Sequence, residues 1–183
     1  MKIGLICQNN FFAPFEFVKS ALSLKGYEYV IVQSHSVPHN RNIVWERVKE
    51  EKDDLLFIDC DMTFTKEDVA KIEKHLETYD IVTGLYVLAN GVPAIFERGD
   101  NDYEFTEPKK GIFEVAACGA GFLGISRRIH DKLPENPFSN LWEGAIQHGE
   151  DVSFCKRAGD AGVKIFCDSS LRLGHIRTIT FRP

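Results

Sequence analysis

The chain has 183 residues, 44% of them hydrophobic, and a formal net charge of −5 at pH 7. This length fits one domain with a normal core, and the acidic balance argues against a nucleic-acid-binding surface. We therefore expect a single domain over residues 1–183 with no nucleic-acid partner.

Membrane and secretion signals are not expected from this sequence. The apolar runs are far shorter than the roughly 20 residues of a membrane span, and Met1 and Lys2 lead directly into a strand-like segment. The five cysteines form no C-x-x-C motif and lie in apolar runs, as buried free thiols of a reducing compartment do. We predict a cytoplasmic protein without a transmembrane segment; peripheral membrane association and the oligomeric state stay open.

The first half of the chain alternates between strand and helix patterns. Thr65 followed by Asp68 is a candidate helix cap. The alternation predicts a mostly parallel sheet with helices on both faces. The predicted strands are 2–7, 27–33, 54–59 and 80–88, and the helices are 14–26, one from Asn40 or Arg41 to Val48, and 65–77.

The second half is less regular, and a smaller antiparallel sheet is expected there. The segment FEVAACGAGFLGISRRI combines a strand, a glycine-rich break and a second apolar run. The remaining predictions are a strand at 92–97, a mobile polar loop at 99–111, a long loop at 134–149, a helix at 150–162 and a closing strand pair at 163–176.

Two carboxylates follow directly on the third predicted strand, in the stretch LLFIDCDM. Asp59 closes the strand and Asp61 lies just beyond it, at the sheet edge where open α/β sheets bind ligands. Paired carboxylates suit Mg²⁺ or Mn²⁺, which take phosphate oxygens as further ligands. The alternative is a turn in which the two aspartates only cap the following helix.

Three further stretches carry candidate site residues. Glu150 and Asp151 begin an amphipathic helix, where they either favour the helix dipole or supply a general base. His175 follows Gly174 after a late strand, as a possible metal ligand or an ordinary histidine. Arg41 begins a helix after a proline turn, on the surface or beside a diphosphate.

Along the chain the motifs are Arg41-Asn42, the strand with D-x-D, GAGFLGI, GEDVSFCKRA and GH. In this order they resemble the motifs of GT-A fold glycosyltransferases, especially small members of family 2. The similarity covers Lys2 to Ile176 and is strongest in LLFIDCDMTFTKEDV and GEDVSFCKRAGDAGVKIFCDSSLRLGHI. It implies a Rossmann-like GT-A domain with a nucleotide-sugar-binding half at about 1–90 and an acceptor and catalytic half at about 91–183. The compact form also resembles glycosyltransferases of viruses and phages.

The resemblance implies a role for each motif. It assigns Mn²⁺ or Mg²⁺ to Asp59, Asp61 and His175, with Asp61 as the likelier direct ligand, and the catalytic base of an inverting enzyme to Asp151 beside Glu150. The donor would be a UDP- or GDP-sugar, and the acceptor a glycan or another hydroxyl. The residues implied for donor binding are Asp59, Asp61, Arg41, Asn42, Gly119, Ala120, Gly121 and Phe122.

The sequence departs from the family pattern at two places. QSHSVPH lacks the acidic residue that often grips the nucleotide base after the second strand, so the base stays open. The chain also stops shortly after His175, either as a minimal enzyme or as one domain of a longer protein. Trp142 either packs in the core or stacks on a sugar ring.

Two other functions fit parts of the sequence. LLFIDCDMTFT also resembles the first motif of haloacid-dehalogenase-like phosphatases, in which Asp59 would be the nucleophile and Asp61 the acid/base. Two strands precede this motif here, and GDNDYE at 99–104 is a weak match to the later acids. The other alternative is a domain that binds a nucleotide sugar or glycan without turnover.

Overall fold

The fold is known from a computed structural model, which describes residues 1–8, 13–100 and 102–177. The helices are α1 (Phe15–Leu22), α2 (Val37–Glu51), α3 (Lys66–His75) and α4 (Glu150–Asp160), with a 3-10 helix at Arg127–Lys132. The strands are β1 (Lys2–Gln8), β2 (Glu28–Ser34), β3 (Leu55–Asp59), β4 (Met62–Thr63), β5 (Ile81–Leu85), β6 (Ile95–Arg98), β7 (Tyr103–Phe105), β8 (Ile112–Val115), β9 (Ala117–Cys118), β10 (Phe122–Ile125), β11 (Leu141–Glu143), β12 (Ile146–His148), β13 (Ile165–Arg172) and β14 (Gly174–His175).

Seven strands form the central sheet in the order β2-β1-β3-β10-β5-β13-β8. Strands β1, β2, β3, β5 and β13 run in one direction, and β10 and β8 run against them. Small antiparallel sheets accompany it, made of β7-β6-β9, β11-β12 and β14-β4. This mixed α/β architecture confirms the predicted fold class.

The core lies on both faces of this sheet, because successive side chains of a strand point to opposite sides. In β3, Leu55 and Phe57 pack on the face covered by α2 and α4, whereas Leu56 and Ile58 pack on the face covered by α1 and α3. All four are fully buried. The continuous apolar run of β3 is therefore that of a strand covered on both sides.

The capping residues in the sequence predict the start of α3 correctly but not the start of α2. Thr65 and Asp68 form a complete capping box at α3, as predicted. Helix α2 begins at Val37, earlier than the predicted Asn40 or Arg41. The Ser36 hydroxyl accepts a hydrogen bond from His39 N, and a proline occupies the first turn, where its missing N–H costs nothing.

Three expectations for the second half were wrong. Residues 99–111 include β7, which pairs with the preceding strand β6, and residues 134–149 include the β11-β12 hairpin. These are short strands of three residues in polar surroundings, so their sequences resemble loops. Residues 163–176 contain two strands, as predicted, but these do not pair with each other: β13 joins the central sheet between β5 and β8, and β14 pairs with β4. Strand β10 also separates β3 from β5.

Candidate active site

The strands β1 and β3 end at a cavity of about 300 Å³. It lies at the carboxyl edge of the parallel strands, as the sequence predicts. The structure brings six of the predicted site residues together in its wall. The residues that line it are Ile6, Val37, Arg41, Asp59, Cys60, Asp61, Leu88, Glu150, Asp151, His175 and Arg177.

Arg41 and Asp59 form an ion pair at the floor of this cavity, between a buried guanidinium and a carboxylate that is 29% exposed. Arg41 is only 2% exposed, and its Nη2 lies 2.9 and 3.0 Å from the two carboxylate oxygens of Asp59. Its Nη1 donates to the Ala120 carbonyl at 3.0 Å, and its Nε lies 3.5 Å from Glu150 Oε1. A buried guanidinium requires such partners, so α2 and β3 are locked together at the site.

Asp59 is in an acidic environment despite this pairing. Burial raises its pKa to about 6, with the charges of Asp61 and Glu150 adding to the rise and Arg41 opposing it. Both carboxylate oxygens already accept from Arg41. Asp59 is therefore paired with Arg41, and its role as a metal ligand together with Asp61 stays a prediction.

His175 reaches the cavity through the pairing of β14 with β4. Gly174 lies opposite Thr63, and Ile176 N donates to Asp61 O at 2.7 Å. A Cβ atom at Gly174 would collide with Thr63 Oγ1, so only glycine permits this close approach. Residues 174–176 are thereby fixed beside the D-x-D segment.

The side chains of His175 and Asp61 meet at the cavity wall, with Nε2 lying 3.2 Å from Oδ2. His175 Nδ1 lies 2.8 Å from the Val87 carbonyl, which can only accept, so Nδ1 carries a hydrogen. Nε2 is then the ring atom left to face the carboxylate. Arg177 Nη1 contacts the same Asp61 oxygen at 3.0 Å.

This pair suits a divalent cation by its donor chemistry. An imidazole nitrogen whose partner nitrogen donates to a carbonyl, set beside a carboxylate oxygen, is a usual arrangement of metal-ligating histidines. Within the described ranges 1–8, 13–100 and 102–177, three or more His, Cys, Asp or Glu side chains do not cluster as a metal site. Asp61 and His175 would thus provide two ligands, with ligand phosphates or water as the others.

Asp151 lies in the first turn of α4, across the cavity from β3. Its Oδ1 accepts from Val152 N at 2.8 Å. Burial raises the pKa of Asp151 to about 6, and the neighbouring charge of Glu150 adds to the rise. A carboxylate tuned towards neutrality at a cavity wall has the properties of a general base.

The glycine-rich segment and Asn42 are positioned differently from what the resemblance implied. Asn42 is outside the cavity lining: its amide accepts from Phe138 N at 2.9 Å and contacts the Ser139 hydroxyl. Phe122 is fully buried in the core. Gly121 N donates to the Tyr86 hydroxyl at 3.1 Å. Asn42, Gly121 and Phe122 do not line the cavity, and donor binding by them stays a prediction.

The close packing of Tyr86 explains the glycines at this position. A Cβ atom at Gly119 would collide with the Tyr86 hydroxyl, and one at Gly121 would crowd it. The Tyr86 ring in turn packs edge-on against His175, with the ring centres 5.4 Å apart. The segment Gly119 to Gly121 thus positions the imidazole through Tyr86.

Sequence reasoning missed two residues of this site, Arg177 and Tyr86. The available signal for Arg177 was its place two residues after His175 in GHIR, where a basic side chain adjoins a candidate metal ligand. Tyr86 follows β5 within an apolar run, and nothing in its sequence surroundings distinguishes it from a core residue.

Two other predicted features lie elsewhere. Trp142 is 63% exposed on β11, so it is not packed in the core. The carboxylate of Asp102, within GDNDYE, accepts from Tyr103 N and lies 3.5 Å from His148 Nδ1. Asp102 does not line the cavity. The late acids required by the phosphatase hypothesis are therefore not supplied by Asp102.

The sheet and its flanking helices define a Rossmann-like, GT-A-like fold. The chain is similar to the crystal structure of A197 from STIV, with a TM-score of 0.73 and 28% identity over 97% of this chain and 87% of that one. It also resembles GalNAc-T7, a GT-A fold glycosyltransferase solved with UDP, GalNAc and Mn²⁺, with a TM-score of 0.59 and 11% identity over 97% of this chain.

This chain spans 44% of the GalNAc-T7 chain, so the second similarity shows the fold alone. No protein-family model and no curated protein sequence matches this chain. Among the described helices, none is both long and apolar enough to cross a membrane. The cytoplasmic location and the single domain stay predictions.

Proposed function

We propose that this protein is a metal-dependent glycosyltransferase that moves a sugar from a nucleoside-diphosphate sugar to an acceptor hydroxyl. The observation that carries the proposal is the meeting of Asp61 and His175 at the carboxyl edge of a GT-A-like sheet. The similarity to GalNAc-T7, a glycosyltransferase solved with UDP and Mn²⁺, supports a nucleotide-sugar donor and a cation at such a site.

The charge of the cavity favours a cation together with the donor. Of the described residues that line it, four carry carboxylates and two carry guanidinium groups. The guanidinium of Arg41 is paired with Asp59. The accessible guanidinium of the cavity is therefore that of Arg177, whose side chain is 46% exposed. A diphosphate alone would meet net negative charge here, so we expect its binding to need Mn²⁺ or Mg²⁺.

Asp61 and His175 would hold this cation. When bound, it would supply Lewis-acid neutralisation of the charge on the departing diphosphate. Arg177 would contact a phosphate oxygen through the part of its guanidinium that does not face Asp61. Arg41 fixes Asp59 and the Ala120 carbonyl, which keeps the floor of the site rigid while the donor binds.

The reaction that follows is a displacement at the anomeric carbon. The acceptor oxygen forms a bond to this carbon, and the bond from the carbon to the diphosphate oxygen breaks, with its electron pair leaving on the nucleoside diphosphate. Asp151 takes the proton of the acceptor hydroxyl. A base with a pKa of about 6 is mostly ionised at neutral pH and is a better acceptor than an unperturbed aspartate.

The stereochemical outcome follows from the role of Asp151. A single displacement with Asp151 as base inverts the anomeric centre. Glu150 lies beside Asp151 and raises its pKa, so it tunes the base rather than replacing it. We propose an inverting enzyme, with UDP- or GDP-sugars as donors and a glycan or other hydroxyl as the acceptor.

A haloacid-dehalogenase-like phosphatase is the second candidate. It would need Asp59 as a free nucleophile, but both Asp59 oxygens accept hydrogen bonds from Arg41. Binding of a nucleotide sugar without turnover is the third candidate. The raised pKa of Asp151 at the cavity wall favours a catalytic role over binding alone.

One assay separates these three functions. The protein is incubated with UDP- and GDP-sugars and Mn²⁺, and the released nucleoside diphosphate is measured with and without simple sugar acceptors. We expect Mn²⁺-dependent release that Asp151→Asn abolishes. Rapid hydrolysis of an aryl phosphate with Mg²⁺ would favour the phosphatase, and tight donor binding without release would favour the binding domain.

A further inference from the structure

The outer edge of the central sheet is β2, and it has features of a dimer interface. In the part of the chain that the structure describes, β1 is its only strand neighbour. The strand is seven residues long, EYVIVQS, with β-branched residues at its centre and no proline. Soluble proteins usually protect such an edge with charges, bulges or a covering element.

The direction of the peptide groups in β2 follows from the hydrogen bonds of β1. Lys2 N donates to Asp54 O at 2.8 Å, and Ile6 O accepts from Cys60 N at 3.2 Å, so Lys2 and Ile6 face β3. Peptide groups alternate along a strand, so Ile3 and Leu5 face β2.

The parallel register then determines which peptide groups of β2 are free. Ile3 lies opposite Tyr29 and Leu5 opposite Ile31, and in a parallel pair each residue bonds to the two neighbours of the one it faces. Glu28, Val30 and Val32 therefore bond to β1. The N–H and C=O groups of Tyr29, Ile31 and Gln33 point away from the sheet.

Two side chains at the same edge, Ile31 and Tyr29, are apolar and exposed, between the polar Glu28 and Gln33. Ile31 is 65% exposed and Tyr29 36%. The Tyr29 hydroxyl donates to Leu24 O at 2.9 Å, which fixes the end of α1 over this face. Leu22, in the last turn of α1, is 74% exposed. The edge thus offers both hydrogen-bonding groups and apolar area.

We propose that two copies of this chain pair through β2 in antiparallel register about a two-fold axis at Ile31. Ile31 is the midpoint of the strand, so the pairing aligns Ile31 with Ile31 and Tyr29 with Gln33. Both pairs exchange their outward N–H and C=O groups. Glu28 meets Ser34, so no two like charges lie opposite each other. A two-fold axis makes this one patch complementary to itself.

The two-fold symmetry also favours a second copy of this chain, rather than another protein, as the partner of β2. It is perpendicular to the sheet, so both α1 helices lie on the same face of the joined sheet, with Leu22 and Ile31 of each copy on that face. A strand from another protein would satisfy the peptide groups but would not reproduce this symmetric apolar cover. The proposal does not depend on the glycosyltransferase function.

Light scattering on the eluting protein at micromolar concentration tests the dimer. We expect twice the chain mass of 20.8 kDa for the unmodified chain. Ile31→Lys sets two charges opposite each other at the centre and should weaken dimerisation by about 100-fold or more. The control Ile146→Lys changes an isoleucine that is 40% exposed on β12 and should stay dimeric. A monomeric unmodified chain, or a dimeric Ile31→Lys variant, overturns the proposal.

Amide hydrogen exchange locates the interface and checks folding. The amides of Tyr29, Ile31 and Gln33 should be protected in the unmodified chain and exchange fast in Ile31→Lys. The amides of Val30 and Val32 bond to β1 and should stay protected in both, which shows that the variant is folded. Equal, fast exchange at Tyr29, Ile31 and Gln33 in both proteins would place the dimer contact elsewhere and overturn the proposal.

Discussion

His175 and Asp61 lie 114 positions apart in the sequence, and their side chains meet with Nε2 3.2 Å from Oδ2. The contact depends on the pairing of β14 with β4, which places the last described strand beside the residue that follows β3. Two segments that are distant in sequence thus build one wall of the cavity. The proposed function rests on this wall together with Asp151 opposite it.

Replacing Asp151 with asparagine should remove the base and keep the local structure. The amide oxygen of Asn can still accept from Val152 N, so we expect folding to be retained. Turnover should fall by about 10²–10⁴-fold, the usual contribution of a general base. The assay is nucleoside diphosphate release at saturating donor. Asp160→Asn is the control, because Asp160 lies at the other end of α4 and is paired with Lys156 at the surface.

The same replacement should stabilise the protein above about pH 6. The pKa of Asp151 is raised from 3.8 to about 6 in the folded state, so its ionised form costs stability there. Between these values the folded state binds more protons than the unfolded state, and stability falls as pH rises. At about 1.4 kcal/mol per pKa unit, Asp151→Asn should remove a cost of up to about 3 kcal/mol.

Thermal unfolding followed across the pH range measures this effect. The melting temperature of Asp151→Asn should exceed that of the unmodified chain above about pH 6, and the difference should vanish below about pH 4. If the variant is less stable than the unmodified chain at neutral pH, burial does not destabilise the ionised form of Asp151, contrary to this prediction.

Arg41→Ala should be strongly destabilising. It leaves the Asp59 carboxylate and the Ala120 carbonyl without their partner. Breaking one side of a buried ion pair typically costs about 3–5 kcal/mol, which is the upper bound here because the Asp59 side chain is 29% exposed. Arg47 is the matched control, because it lies on the same helix and pairs with Glu51 at the surface. Arg47→Ala should cost less than about 1 kcal/mol in urea unfolding. If the two variants lose similar amounts of unfolding free energy, the Arg41–Asp59 pair does not stabilise the site as described.

Gly174→Ala should weaken both the fold and the proposed cation site. The new Cβ collides with Thr63 Oγ1 and forces β14 away from β4, with an expected loss of about 1–3 kcal/mol. Thr63→Ala added to Gly174→Ala removes the colliding oxygen and should restore much of the stability. Gly159→Ala is the control, since no atom lies within 4 Å of its Cβ. Failure of the double variant to recover would show that the collision is not the cause.

Much of the fold was readable because its signals are local. The apolar run of β3 and the capping box at Thr65 each depend on a few consecutive residues, and both were correctly predicted. The antiparallel insertion of β10 between β3 and β5 was not. It depends on pairing across the sheet, and a short strand such as FLGI gives no sign of its neighbours.

The candidate site shows the same division. Asp59, Asp61, Glu150 and Asp151 stood out as acids next to regular elements, and the structure places them in one cavity. The pairing of Asp59 with Arg41 could not be read from the sequence, because it depends on how α2 packs against the sheet and brings Arg41 to the end of β3. Asn42, the neighbour of Arg41, faces Phe138 instead, since adjacent helix positions point in different directions.

The proposed function depends most on Asp61 and His175, which would hold a divalent cation beside the donor phosphates. Electron spin-echo measurements on Mn²⁺ bound with UDP report whether an imidazole nitrogen ligates the metal. We predict a histidine nitrogen coupling in the unmodified chain that His175→Gln removes and that His75→Gln, which alters the separate His75–Asp168 pair, preserves. A Mn²⁺–UDP complex of the unmodified chain without any histidine coupling, or one unchanged by His175→Gln, would contradict this role of His175.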